Sequence, residues 1–210
     1  MTDRNAEPVR KAVPVSPDEN PLNLLFVFEQ LKDVERRNPL SKGSRRENTA
    51  EHSWSVALAA LIFESGAAEE VDVSHAVALA VAHDLAEAFV GDTFVYGDGA
   101  DSRAQREDAA MESFLAATRS PAESKRLVSL WREFEANSTP EARYVLALDV
   151  LLPVFMNGRN LEHSSWKAHG VRAEDVRARV RSVEATLPAL AAEAYKVIDL
   201  GVRHGALGGP

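Results

Sequence analysis

Apolar residues recur at helical spacing along most of the chain. Leu24, Leu25, Phe28, Leu31 and Val34 fall on one stripe and predict a first helix over 22–36. Asn48, followed three residues later by Glu51, has the form of a capping box. It opens a second helix through Val56, Leu58 and Ile62 that Gly66 is expected to stop. From Val73 to Val90 the residues are apolar nearly all round, which predicts a central, buried helix. Ser120-Pro121-Ala122-Glu123 combines a cap, a proline in the first turn and a glutamate three residues on. Thr139-Pro140 opens a helix in the same way, running through Leu148 to about Met156. A last helix is expected over 173–198, broken or bent near Pro188. Alternating strand patterns are absent, so the expected fold class is an all-α helical bundle.

Three segments divide the chain. Residues 1–20 carry prolines among charges with no apolar period and are expected to be a flexible N-terminal arm. Residues 21–200 form the single helical domain, and 201–210 are expected to be a flexible C-terminal tail. Hydrophobic residues make up 45% of the chain, enough for a proper core. The net charge of -8 argues against nucleic acid or an anionic membrane surface as the main partner. A small anionic substrate in a local cationic pocket stays compatible with it. With no cysteine, thiolate metal sites and cysteine nucleophiles are excluded. No uninterrupted apolar run of about 18 residues exists, and the N-terminus lacks an apolar signal core, so a cytoplasmic protein is expected.

The chemistry concentrates where charge interrupts apolar sequence. His83-Asp84 sits in the middle of the most apolar stretch, and a buried aspartate is rare unless paired or bound to a metal. Glu87 lies three and four residues further on, so one helical face can carry all three. Glu51-His52 opens the preceding helix. Asp149 stands alone among apolar residues in VLALDVLLPV. His52, His83, Asp84 and Asp149 together offer a nitrogen and oxygen donor set for one borderline divalent ion.

In this order, His, then His-Asp, then Asp, the chain resembles the HD superfamily of metal-dependent phosphohydrolases. RRENTAEHSW (45–54), HDLAEAFVGD (83–92) and ALD (147–149) are similar to the motifs of its 5'-nucleotidase branch. WREFEANSTPEARYVLALD (131–149) and SWKAHGV (165–171) resemble a subgroup, and the likeness runs over roughly 22–172. The resemblance implies an HD-domain bundle, a homodimer, and one divalent ion (Co, Mn, Fe, Zn or Mg) on His52, His83, Asp84 and Asp149. It implies Glu87 and Asp92 as catalytic carboxylates beside the attacking water and leaving group. Arg37 matches an arginine near the substrate phosphate, with Arg45 and Arg46 as further phosphate contacts. Asn38 stands where deoxynucleotidase members carry a tryptophan that crowds the sugar 2' position, so ribo- and deoxyribonucleotides are expected to be accepted alike.

The implied reaction is hydrolysis of a nucleoside 5'-monophosphate. The alternative is another phosphorylated small molecule, such as a nucleoside triphosphate or pyrophosphate, because one fold serves several substrates. A di-iron oxygenase would need more histidines, and residues 85–148 contain none. A non-catalytic binding module would have lost ligands or Glu87, and all are present. His75 is expected to be structural, as are His163, Trp166 and His169. Trp54 and Trp131 are expected in the core, and 93–102 to form a mobile loop beside the site.

Overall fold

A computed structural model describes residues 21–40, 45–97, 102–118 and 121–209. The arm at 1–20 and the Ser120 cap lie outside them. The chain runs α1 (Leu22–Glu29), β1 (Glu35–Pro39), β2 (Arg46–Asn48), α2 (Thr49–Phe63), α3 (Val73–Ala82), α4 (Glu87–Val90) and α5 (Arg103–Ala117). Then come α6 (Pro121–Ala136), α7 (Pro140–Arg159), α8 (Ser165–His169), α9 (Ala173–Val183) and α10 (Pro188–Arg203). The all-α class holds, with one exception: β1 and β2 pair antiparallel in a two-stranded ribbon with an irregular register.

That ribbon corrects the first predicted helix. The helix ends at Glu29, a 3-10 turn covers Gln30–Asp33, and residues 35–39 are extended. The predicted helix 73–90 is also interrupted. Regular hydrogen bonding ends at Ala82, and Leu85 and Glu87 donate to carbonyls three residues back, at 3.2 and 3.0 Å. Its apolar window is long enough to cross a membrane by composition, but 56% of it is buried inside the fold and His83, Asp84 and Glu87 interrupt it. The capping box at Asn48 and the Thr139 cap form as expected. Residues 173–203 make two helices, and Pro188 begins the second.

Two apolar clusters flank the site. The larger joins α2, α3, α7, α9 and α10 around Leu79, Leu148, Leu151 and Ile198. The smaller packs Leu24, Val27 and Leu31 on Leu85, Met111, Phe114 and Trp131. The loose tail expected at 201–210 is corrected by the packing. Ala206 and Leu207 are buried, the Gly208 N–H donates to Val171 O at 2.9 Å, and Gly208 O accepts from the Ala173 N–H at 3.1 Å. Trp54 is likewise not core: it is 66% exposed on α2, whereas Trp131 and Trp166 are buried.

Candidate metal and active site

The break after Ala82 is what delivers His83 and Asp84 to the interior. His83 Nδ1–H donates to Ala80 O at 2.8 Å, which leaves Nε2 with a free lone pair. That Nε2 is buried and has no hydrogen-bond partner. It faces the other donors, with Asp84 Oδ2 at 3.1 Å and Asp149 Oδ1 at 3.9 Å. His52, from the second turn of α2, brings Nε2 to 2.8 Å from Asp149 Oδ1 and 3.9 Å from Asp84 Oδ2. Donor atoms of His52, His83 and Asp149 all lie within 4.8 Å of one another. Pro153 has no N–H to give the Asp149 carbonyl, so α7 is open one turn beyond this ligand.

Protonation follows from this crowding. Burial works to lower the His83 imidazole pKa, but Asp84 and Asp149 beside it leave it raised. Burial works to raise Asp84, yet His83, Arg36 and His52 hold its carboxyl down at about 2. Asp149 is held low as well: the His52 hydrogen bond and the charges of His52, His83 and Arg36 outweigh burial. Two anionic oxygens and two imidazole nitrogens turned inward, one of them orphaned, fit a divalent cation.

Glu87 begins α4 and is buried. Its Oε2 accepts from Thr49 Oγ1 at 2.7 Å. Burial and the neighbouring Asp84 charge push its pKa well above the usual carboxylate range despite Arg36. Gly91, at φ 78°, turns the chain after α4, a conformation that costs an L side chain strain although space for a Cβ exists. Asp92 then reaches the site, 3.6 Å from Arg36 Nη1.

Arg36 is the residue that sequence reasoning missed. Its guanidinium sits among four carboxylates: Asp84 at 3.2 Å, Glu47 at 3.3 Å, Asp92 at 3.6 Å and Glu87 at 3.9 Å. Burial disfavours its charge, but Asp84, Glu87, Asp92 and Asp149 together keep its pKa raised. With 22–36 taken as a helix, nothing distinguished Arg36 from Arg37. On a strand, Arg36 and Asn38 share one face.

The substrate-binding candidates separate. Arg37 and Asn38 line an open cavity together with Arg36, Asp92 and Asp149. The Asn38 amide is held at both its nitrogen and its oxygen. Its Nδ2 donates to Glu47 at 3.4 Å, and its Oδ1 accepts from Asn157 Nδ2 and Ser165 Oγ, both at 3.0 Å. Arg45 does not line the cavity: it is exposed and clamps Glu51, at 2.8 Å, on the first turn of α2. Arg46 is exposed at the margin. Its charge and that of Arg37, after desolvation, lower the pKa of His169. The structural role expected of His75 agrees with its 2.9 Å bond to Glu133. His169 stacks at a tilt on Phe94, ring centroids 4.8 Å apart.

A family model described as an HD domain matches residues 28–191. The chain belongs to the HD-domain family. Among solved structures it is similar to a predicted metal-dependent phosphohydrolase from Magnetospirillum magnetotacticum. That pair shares 33% identity at a TM-score of 0.79, over 89% of this chain and 96% of that one. A conserved hypothetical protein from Pyrococcus furiosus shares the fold, at 21% identity and a TM-score of 0.55, over 87% of this chain and 99% of that one. Among curated proteins, the 5'-deoxynucleotidase HDDC2 of Bos taurus is 31% identical over 62% of this HD-domain chain and 62% of its own length. That of Homo sapiens is 29% identical over 61% and 62%. The chain therefore spans about three fifths of the curated relatives it matches.

Proposed function

We propose that this HD-domain protein is a metal-dependent phosphohydrolase that cleaves nucleoside 5'-monophosphates. The observation that carries the reading is the buried, unpartnered Nε2 of His83 facing Asp84, Asp149 and His52. His52, His83, Asp84 and Asp149 would hold one divalent ion, which when bound supplies Lewis-acid activation of a phosphate oxygen and of water. Glu87, whose protonated form burial and the Asp84 charge favour, is placed to exchange a proton with water or the leaving oxygen. Asp92 orients the water. Arg36 offsets the mutual repulsion of the carboxylates, and Arg37 receives the phosphate. The cavity's Phe94, Tyr96, Pro153 and Val154 surface suits the organic part of a nucleotide. The 5'-deoxynucleotidase names of the curated relatives favour nucleotides over other monoesters. The protein is read as a cytoplasmic homodimer.

The test is a metal-by-substrate matrix on stripped and reloaded protein, scored by phosphate release. Wild type is expected to hydrolyse nucleoside 5'-monophosphates only when metal is restored. His83→Ala and Asp84→Ala should lose bound metal and activity together. Glu87→Gln should keep its metal and lose turnover by about 10²-fold or more. Full metal occupancy in both ligand variants would sink the site assignment. Near-native turnover of Glu87→Gln would remove it from the chemistry.

A further inference from the structure

Three guanidiniums line the cavity: Arg36, Arg37 and Arg179. Arg36 is committed to Asp84, Glu47 and Asp92. The guanidiniums of Arg37 and Arg179 form no hydrogen bond or ion pair with any described residue. Several other arginines are answered by carboxylates, Arg103 by Glu107 and Glu135, Arg143 by Glu69 and Arg177 by Asp199, and what sets Arg37 and Arg179 apart is that they line the cavity. The contrast is sharpest at Arg179. Asp175 lies four residues earlier on the same helix, α9, at the spacing that favours an ion pair. No such pair forms, and the Arg179 side chain borders the cavity instead.

The same cavity is lined by Asp149 and Asp92, by Phe94, Val95 and Tyr96, and by Arg179. It therefore brings a candidate metal donor, an apolar wall and a guanidinium without an ion-pair partner into one space.

We propose that Arg179 forms a second phosphate subsite, so that the preferred substrate carries two phosphates separated by an organic spacer. This rests on the phosphohydrolase reading above and narrows its substrate. The phosphate to be cleaved lies at the metal donors, and the retained one is held by the guanidinium of Arg179. Paired guanidinium N–H donors suit the oxygens of a phosphate dianion. A nucleoside 3',5'-bisphosphate has this spacing of charges. A nucleoside 5'-diphosphate, whose phosphates are adjacent, does not.

The experiment compares metal-loaded wild type and Arg179→Gln on adenosine 5'-monophosphate, 5'-diphosphate and 3',5'-bisphosphate. Wild type should favour the 3',5'-bisphosphate in kcat/KM by about tenfold or more over both others, as a charge-assisted contact provides. Arg179→Gln should abolish that preference through KM and leave monophosphate hydrolysis within about threefold. Equal use of the monophosphate and the bisphosphate by wild type overturns the subsite, as does an equal loss on both in Arg179→Gln. Hydrolysis of none of the three overturns the nucleotidase reading. Calorimetric binding of the 3',5'-bisphosphate then decides the subsite. Weakening by about tenfold in Arg179→Gln upholds it, and unchanged affinity overturns it.

Discussion

Asn38 shows how one side chain's partners decide its role. The resemblance implies that this short amide stands where a bulky ring would wall off the sugar 2' position. The same amide is 8% exposed and spends both donor and acceptor on Glu47, Asn157 and Ser165. It ties β1 to α7 and α8 through its Oδ1, which is thereby occupied. Wild type is therefore expected to use AMP and dAMP with kcat/KM values within about tenfold, or about 1.4 kcal/mol. Asn38→Ala should destabilise the fold by about 1–3 kcal/mol, because it strands buried polar partners. It should leave the AMP to dAMP ratio unchanged. Urea melts paired with matched-substrate kinetics make the check, and a ratio that moves several-fold in the variant would show that Asn38 does contact the sugar.

At the scale of elements, α5 is the helix that the apolar pattern did not reveal. Its buried stripe is Glu107, Met111 and Phe114, so a carboxylate occupies one of three inward positions. Burial pushes Glu107 up to about 7 although Arg103 pulls against it. An unfolded glutamate titrates near 4.5, so between those values the folded state holds more protons than the unfolded one. Stability from this group is therefore intact below about pH 4.5 and declines as pH rises to about 7, by at most about 3 kcal/mol. Glu107→Gln should lose that slope and gain about 1–3 kcal/mol relative to wild type between pH 5 and pH 8. Denaturant unfolding at both pH values measures it, and a difference that stays constant with pH would rule the account out. The same logic explains what else was legible. Caps at Asn48 and Thr139 and the isolated His83-Asp84 and Asp149 carry local signals, and the helices and donors follow from them. Arg36 carried none, because its inward orientation depends on a strand pairing that exists only once β2 lies beside β1. The interruption at 83–86 was hidden because apolar residues continue at helical spacing on both sides of His83-Asp84. The packing of Leu207 depends on Gly201 and Trp166 lying beneath it, which short-range pattern cannot express.

For the whole molecule, the unexplained surface is apolar. Trp54, Leu58, Leu61 and Ile62 are all exposed on α2, at spacings that put them along one helical face. The opposite face of the same helix carries His52, Val56, Ala59 and Ala60 into the core. A helix exposing this much apolar area gains about 25 cal/mol for each Å² it removes from water. Stable homodimers cover about 800 Å² on each partner. A second copy meeting this face through a twofold axis would stack two such stripes against each other. It would also brace α2, the helix that presents His52, from behind. The expected result is a dimer in sedimentation velocity across the micromolar range. Leu58→Glu should convert it to a monomer, because a charge buried in an apolar contact without a partner is strongly disfavoured. The monomer itself should keep its fold, since Leu58 is already solvent-facing and exposed substitutions usually shift stability by no more than about 0.5 kcal/mol. Circular dichroism melts separate loss of assembly from loss of structure. A wild type that sediments as a monomer at every concentration, or a Leu58→Glu protein that remains dimeric, would place the contact elsewhere or remove it. If the dimer does form here, the monomeric variant should bind metal less tightly than wild type, because His52 then rides on a helix packed on one side only.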